Sequence, residues 1–306
     1  MAWNFEVVAG PFQGALGGLA WDGKGMLFTA VGEQRLLRYL PESGAVEEVR
    51  KYTNGVNGIA LGSEGDIFGC QGLSRRIIRF LPDGSATTTG FTVDGRHHNQ
   101  PTDLYIDSKW RVWFADPFGE AISSGPQILP YLDYAAVLRM ERSDRREWVI
   151  RRMTDDTTNP RCVLLSADER TVYVSESNRR PEQARELRAY PVRDEETLGQ
   201  PIVLHCFGAD YRGEHRGVEG MCLDADDNIV AVGGWRRSGP GPLVSVYSPG
   251  GAVIESHTVP SDLPMKCGFG GADLDTLYVT TGEGLLMRVR NSGRRGRSSP
   301  RPPVSS

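Results

Sequence analysis

The sequence predicts an all-β fold, a six-bladed β-propeller that is closed by its N-terminal strand. Three observations lead to this prediction. Six segments of one pattern recur along the 306 residues, and each holds short apolar runs separated by turn residues. The chain contains 37 glycines and 19 prolines, which indicates many short elements joined by turns. Repeats of about 40–60 residues that each carry four short strands are typical of propeller blades.

The innermost strand of each blade is predicted from the start of its repeat. Each repeat opens with a loop residue and an apolar run, and the six repeats begin at Gly17, Asn57, Thr102, Arg161, Glu219 and Cys267. A turn of Asp, Gly or Ser residues follows, and then a second apolar run at 26–28, 66–68, 112–114, 172–174, 229–231 and 277–279. Runs of β-branched and aromatic residues bounded by turn residues predict paired antiparallel strands.

The outer strands continue the same order. Residues 36–40 and 77–80 are third strands, and each precedes a turn that contains proline and glycine. The sixth repeat ends at Arg290 without a fourth strand, whereas residues 5–8 form a strand without a blade of their own. We therefore predict that the N-terminal strand completes the last blade, so that residues 1–290 form one closed domain without an open sheet edge.

The C-terminal residues differ from the rest of the chain. The last sixteen contain four arginines and no acidic residue, and most of the others are Ser, Pro and Gly. Such a segment cannot bury enough apolar surface to fold, so we expect residues 291–306 to be a disordered basic tail. The remaining chain is then more acidic than the net charge of −4 indicates, which disfavours nucleic acid as a partner.

Composition also gives expectations about location and assembly. Mean hydropathy is −0.37, no apolar stretch approaches the about 20 residues of a membrane span, and the N-terminus lacks the pattern of a secretory signal. The five cysteines, an odd number without CxxC spacing, indicate neither a zinc knuckle nor a disulfide framework. We expect a cytoplasmic monomer or weak homo-oligomer that makes no membrane contact. The sequence has no GxSxG, HExxH or P-loop motif.

Five stretches carry a resemblance to a known family, at 57–60, 101–109, 114–119, 171–177 and 268–280. On these stretches the chain resembles the SMP-30/gluconolactonase/luciferin-regenerating-enzyme family of six-bladed propellers. The family is related to diisopropyl-fluorophosphatase and, more distantly, to strictosidine synthase. The resemblance touches four of the six blades, and it implies a fold more firmly than an activity, because activity depends on the site.

The resemblance implies a divalent cation that is held at the propeller axis by residues just before the inner strands. The family pattern is Glu from blade one, Asn from blades three and four, and Asp from blade five; the corresponding residues here are Gly17, Thr102, Arg161 and Glu219. Gly17 has no side chain, and at about 4 Å a guanidinium would repel each unit of cation charge by roughly 4 kcal/mol. We therefore expect no metal cofactor at this position.

Arg161 and Glu219 approach the axis from neighbouring blades, and a guanidinium can satisfy a carboxylate without a metal. Two interpretations remain open. The pair either fills the tunnel as a structural plug or forms the reactive centre, with Arg161 stabilising an oxyanion and Glu219 acting as general base. A buried charge pair seldom stabilises a fold more than apolar filling, which favours the second interpretation.

Seven further residues are candidates for substrate binding: Asn57, Thr102, Asp103, His98, His215, Trp235 and Cys267. The resemblance implies that Asp103 orients the loop of blade three. Trp235, in a loop with two arginines, suits an anionic or carbonyl-bearing small substrate. An alternative metal site would use His97 or His98 together with His215 and Glu219. In the other interpretations these histidines make hydrogen bonds or transfer protons. We place Cys267 at the inward position of blade six.

Three functions remain open from the sequence. The first is a hydrolase that opens a lactone or related cyclic carbonyl compound, as the resemblance implies, without the usual metal. The second is a metal-free lyase, isomerase or condensation enzyme related to the strictosidine-synthase branch, in which a cavity carboxylate transfers protons. The third is a propeller that only binds a small molecule.

Overall fold

The computed structural model describes residues 2–119, 129–177, 183–194 and 197–297. Within them the chain forms six four-stranded antiparallel sheets, which confirms the predicted six-bladed β-propeller. Two short hairpins and one 3-10 turn at Gly72–Ser74 accompany the blades. No helix in this described part has the length and apolar character that a membrane span requires.

The strands follow the chain in blade order. The first strand, before the blades, is β1 (Glu6–Ala9). Blade one contains β2 (Leu16–Trp21), β3 (Met26–Ala30), β4 (Arg35–Tyr39) and β5 (Val46–Arg50). Blade two contains β6 (Val56–Leu61), β7 (Ile67–Gln71), β8 (Arg76–Phe80) and β9 (Ala86–Thr88), and the hairpin β10 (Thr92–Val93) and β11 (Arg96–His97) follows. Blade three contains β12 (Asp103–Ile106), β13 (Val112–Asp116), β14 (Ala136–Arg142) and β15 (Trp148–Arg152).

The second half repeats this order. Blade four contains β16 (Pro160–Leu165), β17 (Thr171–Glu176), β18 (Glu186–Pro191) and β19 (Ile202–Cys206), and the hairpin β20 (Ala209–Asp210) and β21 (Gly213–Glu214) follows. Blade five contains β22 (Val218–Leu223), β23 (Ile229–Gly233), β24 (Leu243–Tyr247) and β25 (Val253–Thr258). Blade six contains β26 (Pro264–Gly270), β27 (Thr276–Thr281) and β28 (Leu286–Val289).

The N-terminal strand closes the ring as predicted. β1 pairs antiparallel with β28 and becomes the fourth strand of blade six. Glu6 lies opposite Arg288 in this pair, and their side chains form a salt bridge of 2.8 Å. The two ends of the propeller are therefore joined within one sheet, which prevents the first and last blades from separating.

The apolar core lies between the blades. The second strand of each blade is covered on both faces by neighbouring blades, so β3, β13 and β23 are buried along their whole length. Their near-continuous apolar sequences reflect this two-sided burial. The fourth strands face solvent, and most of β5 is exposed.

The inner strands of blades four and five each begin with a register shift. Arg161 is the extra residue between the paired residues Pro160 and Cys162, and Glu219 is the extra residue between Val218 and Gly220. A bulge redirects a side chain out of the regular alternation of a strand. These two irregularities direct the charged side chains towards the propeller axis.

The propeller was predicted to end at residue 290, but the residues that follow, as far as 297, also contact the blades. Arg294 forms salt bridges with Asp224 and Glu255, and the backbone N–H of Gly296 donates to Leu274 O at 2.7 Å. Arg294 therefore attaches the segment to blade five, and the backbone of Gly296 attaches it to blade six. Residues 298–306 of the predicted tail lie outside the described residues.

Candidate functional site

Six inner strands surround the axis of the propeller. Each of β2, β6, β12, β16, β22 and β26 contacts the next in a closed ring. Blades three and six are consequently on opposite sides of the axis, and blades four and five are neighbours. Side chains from these four blades meet in the central tunnel as an axial cluster of Asp103, Arg161, Arg216, Glu219 and Lys266.

Glu219 lies at the centre of the axial cluster. Its Oε2 accepts hydrogen bonds from Arg161 Nη2 at 3.0 Å and Arg161 Nε at 3.3 Å. Its Oε1 accepts from Arg216 Nε at 2.6 Å and from Ser177 Oγ at 3.1 Å. The two residues singled out by sequence are therefore in contact, and a second arginine and a serine that were not predicted complete the shell of the carboxylate.

The surroundings of Glu219 determine its protonation. The residue is only 3% exposed, and burial alone would raise its pKa, but the guanidinium groups of Arg161 and Arg216 outweigh burial and lower the pKa to about 2. The same contact with Glu219 raises the pKa of Arg161. Near neutral pH the carboxylate is ionised and both its oxygens accept hydrogen bonds, which argues against the expected role of Glu219 as general base.

A second ion pair crosses the tunnel. Lys266 Nζ of blade six donates to Asp103 Oδ1 of blade three at 2.7 Å and to Glu219 O at 2.9 Å. Burial raises the pKa of Asp103, and Lys266 opposes this shift. Burial lowers the pKa of Lys266, but Asp103 and weaker contributions from other nearby groups together outweigh burial, so the net direction is upward. Asp103 Oδ2 also accepts from Val163 N at 3.3 Å, which connects blade three to the inner strand of blade four.

The residues at the four implied ligand positions do not fit a divalent cation. A Cβ at position 17 would lie 2.5 Å from Asn57 O, so the backbone there has no room for a liganding side chain. Thr102 Oγ1 donates to Arg161 O at 2.9 Å, and Arg161 brings a positive charge. Only Glu219 offers a carboxylate, and two arginines bind it.

His98 and His215 make no hydrogen bond to the residues of the axial cluster within the described part of the chain. His98 is fully buried against Phe114, with Nδ1 3.5 Å from Asp116 Oδ1. The ring of His215 stacks on Phe207, and its Nδ1 accepts from Gly217 N at 2.9 Å. Among the described residues no three His, Cys, Asp or Glu side chains come together as a metal site, so the alternative histidine site is not assembled there.

Burial explains the protonation of His215. Desolvation lowers the pKa of this histidine to about 4, so the neutral imidazole accepts the hydrogen bond from Gly217 at neutral pH. Gly217 has a φ of +94°, and a Cβ there would lie 3.1 Å from Glu176 O. His215 and Gly217 thus shape the loop that delivers Arg216 and Glu219 to the axis.

Two other predicted binding residues have different outcomes. Trp235 lies beside the axial cluster, since the Arg216 guanidinium is 5.3 Å from the centre of its ring. Cys267 is not at the inward position: its Sγ lies 3.7 Å from Cys222 Sγ and 3.3 Å from Val230 O, in the apolar core between blades five and six. The hydrogen bond between the two thiols and burial both raise the pKa of Cys267, which makes its thiol inert.

The error at Cys267 also explains why Lys266 was not predicted. In the strand pairing, Cys267 is equivalent to Leu104 of blade three, and Lys266 is equivalent to Asp103. Counting back from Phe269, the last apolar residue of the strand, would have placed Lys266 level with Asp103. The sequence alignment instead sets Cys267 level with Thr102, which displaces the strand by two residues and puts Lys266 before its start. Arg216 lies in a loop before its strand, where the repeat gives no signal.

Comparisons with known proteins agree with the family and the fold that the sequence predicts. A family model described as SMP-30/Gluconolactonase/LRE-like region matches residues 17–283. The chain is 24% identical to a gluconolactonase of Zymomonas mobilis over 242 residues, which are 77% of this chain and 63% of that relative, so the match spans less than two thirds of its length.

Solved structures share the fold. A gluconolactonase of Xanthomonas campestris superposes with a TM-score of 0.76 at 24% identity, covering 94% of this chain and 89% of that one. The calcium-binding protein regucalcin of Agrobacterium tumefaciens superposes with a TM-score of 0.75 at 16% identity, covering 99% and 98%. At these identities the superpositions show the common propeller, and the axial residues must be interpreted from this chain itself.

Proposed function

The chain belongs to the SMP-30/gluconolactonase/LRE-like family, and from this premise we propose that it is a small-molecule hydrolase that opens a lactone or a related cyclic carbonyl compound. We further propose that it does so without the divalent cation that the family pattern implies. The observation that supports both statements is the axial cluster, in which two carboxylates and three cations converge where the inner strands begin.

In this proposal Arg161 polarises the carbonyl of the substrate. Arg161 is the most open member of the cluster, with 22% of its side chain exposed. Its Nε and Nη2 bind Glu219, whereas Nη1 makes no hydrogen bond to a described residue. Nη1 therefore donates to the carbonyl oxygen as negative charge develops there. Glu219 acts as a positioning residue, because its carboxylate holds both arginines in place.

Asp103 is the proposed general base. Its pKa is raised by burial, so it accepts a proton more readily than Glu219 does, and Lys266 limits this rise. Asp103 takes a proton from water while the water oxygen bonds to the carbonyl carbon. The ring C–O bond then breaks, and the same proton passes from Asp103 to the departing ring oxygen. The product is the open hydroxy acid, with one water added.

The test is a panel of lactones assayed by pH-stat, with and without EDTA. We expect ring opening that EDTA does not reduce. Asp103→Asn should lower kcat by roughly 10²–10⁴-fold, and Arg161→Met by roughly 10²–10³-fold. Arg79→Gln, on the outer part of blade two, serves as the control. An activity that EDTA abolishes and a divalent cation restores would overturn the metal-free mechanism; no hydrolysis of any lactone would overturn the reaction.

The Asp103–Lys266 pair also suits a lyase or isomerase, because a carboxylate beside a cation can remove a proton next to a carbonyl group. Mass spectrometry of the products separates the two reactions, since hydrolysis adds one water and isomerisation leaves the mass unchanged. Binding without turnover would identify a ligand-binding propeller. The five cysteines are free thiols, which supports the proposed cytoplasmic location.

A further inference from the structure

The charges of the axial cluster do not balance. Lys266 is paired with Asp103, and Arg161 and Arg216 share the single carboxylate of Glu219. Among the described residues of the cluster, three cations therefore face two carboxylates, and the excess positive charge lies on the side of the two arginines. Arg216 is buried beside Glu219, and an uncompensated charge in such surroundings is costly.

The two arginines also have hydrogen-bond donors that no described residue occupies. Arg216 uses Nε for Glu219 Oε1, and its Nη1 and Nη2 make no hydrogen bond to the described part of the chain. Arg161 likewise has Nη1 left, as noted above. A guanidinium presents its donors as a planar fork, and this fork matches the two oxygens of a carboxylate.

The position of Arg216 is fixed by its neighbours. Glu219 holds the Nε side, and the ring of Trp235 lies 5.3 Å from the guanidinium carbon. Trp235 is itself held by the hydrogen bond from its Nε1 to Ser238 Oγ at 2.6 Å. An arginine that is held in this way loses little conformational entropy when it binds an anion, which favours a dedicated role in recognition.

We propose that the axial site takes a lactone that carries a free carboxylate, and that Arg216 binds this carboxylate through Nη1 and Nη2 beside the ring of Trp235. The ligand then supplies the anion that the two arginines lack. The carboxylate at Arg216 leaves the lactone carbonyl directed to Arg161 and Asp103. The lactone part of this statement rests on the proposed function, whereas the carboxylate part rests only on the charges and donors of the cluster.

Two pairs of probes separate these parts. Tetrahydrofuran-2-carboxylate and tetrahydrofuran-2-carboxamide have no ester to hydrolyse, so calorimetry measures binding alone. The second pair, 5-oxotetrahydrofuran-2-carboxylate and its carboxamide, contains a lactone and reports hydrolysis. We expect the carboxylate of each pair to exceed its amide by about 10–100-fold, in affinity for the first pair and in kcat/KM for the second.

Variants locate the recognition. Arg216→Gln should bring the carboxylate-to-amide ratio close to one, and Arg216→Lys, which keeps the charge but not the fork, should give an intermediate ratio. Arg79→Gln is the matched control, because Arg79 also binds carboxylates and lies 5.8 Å from an aromatic ring, but outside the tunnel. It should keep the wild-type ratio. Circular dichroism checks that each variant is folded.

The outcomes distinguish the two proposals. Selective binding of the carboxylate without hydrolysis of either lactone would support the carboxylate site and overturn the lactonase function. Equal affinity for acid and amide in the wild-type protein would overturn the carboxylate site, whatever the hydrolysis result. A ratio that Arg216→Gln leaves unchanged would also overturn it. Inorganic phosphate is a third probe, and tighter binding of phosphate than of the carboxylate would overturn the assignment of the anion.

Discussion

Replacing Glu219 by glutamine keeps the shape of the side chain but removes the charge that Arg161 and Arg216 share. In the wild-type protein the two guanidinium groups lower the pKa of Glu219 from 4.5 to about 2. One pKa unit corresponds to about 1.4 kcal/mol, so the ionised carboxylate stabilises the fold by about 3 kcal/mol. Removal of one partner from a buried ion pair typically costs about 3–5 kcal/mol, which agrees.

The assay is urea unfolding at pH 7, followed by tryptophan fluorescence. We expect Glu219→Gln to lower the free energy of unfolding by about 3 kcal/mol. The matched control is Glu6→Gln, because Glu6 also pairs with an arginine, Arg288, but its side chain is 43% exposed. An exposed pair contributes about 0–1 kcal/mol, so this variant should be close to the wild-type protein.

The pH dependence gives a second readout with a defined sign. The pKa of Glu219 is lower in the folded state, so its stabilisation is complete above pH 4.5 and is lost as the pH falls towards about 2. Glu219→Gln should lack this part of the acid destabilisation. If the free energy of unfolding of Glu219→Gln lies within about 1 kcal/mol of the wild-type value at pH 7, and falls equally with decreasing pH, then the buried ion pairs of Glu219 with Arg161 and Arg216 are refuted.

Three further predictions concern other parts of the molecule. Burial lowers the pKa of His215 from 6.5 to about 4, so the wild-type protein should lose stability as the pH falls from 6.5 to 4. His215→Asn should lose less stability over this range. Equal losses of the two proteins in thermal melts at pH 7, 5 and 4 would contradict the prediction. Truncation after residue 297 should leave the melting temperature unchanged. Truncation after residue 291 should lower the free energy of unfolding by more than about 1 kcal/mol, because buried Asp224 loses its partner Arg294. Equal melting temperatures of the two truncated proteins would show that these contacts contribute nothing. Lys266→Met removes the cation that opposes the raised pKa of Asp103, so the acid limb of the kcat/KM profile should move to higher pH; an unmoved limb would exclude Asp103 as the base.

The fold was predictable because its determinants are local and repeated. Every blade carries its own alternation of apolar runs and turns, so an error in one blade does not alter the architecture. The closure by β1 was predictable for the same reason, since residues 5–8 formed a strand without a blade and the last repeat lacked one.

The axial cluster was only partly predictable. Arg161 and Glu219 were identified because both lie at the start of an inner strand, where the resemblance assigns ligands. Lys266 was missed because the register of one glycine-rich strand was displaced, and Arg216 because a loop residue has no repeat to align. The contacts of Arg294 depend on carboxylates that are distant in sequence, which composition does not reveal.

The salt bridge between Asp103 and Lys266 affects how substrate and product enter and leave the axial site. It joins inner strands from opposite sides of the ring, one position along the strands from Arg161 and Glu219, and so obstructs the axis there. In the proposed mechanism a ligand at Arg161 therefore cannot pass along the axis beyond Asp103 and Lys266. A product that stays at Arg161 excludes the next substrate, and inhibition by product should be competitive.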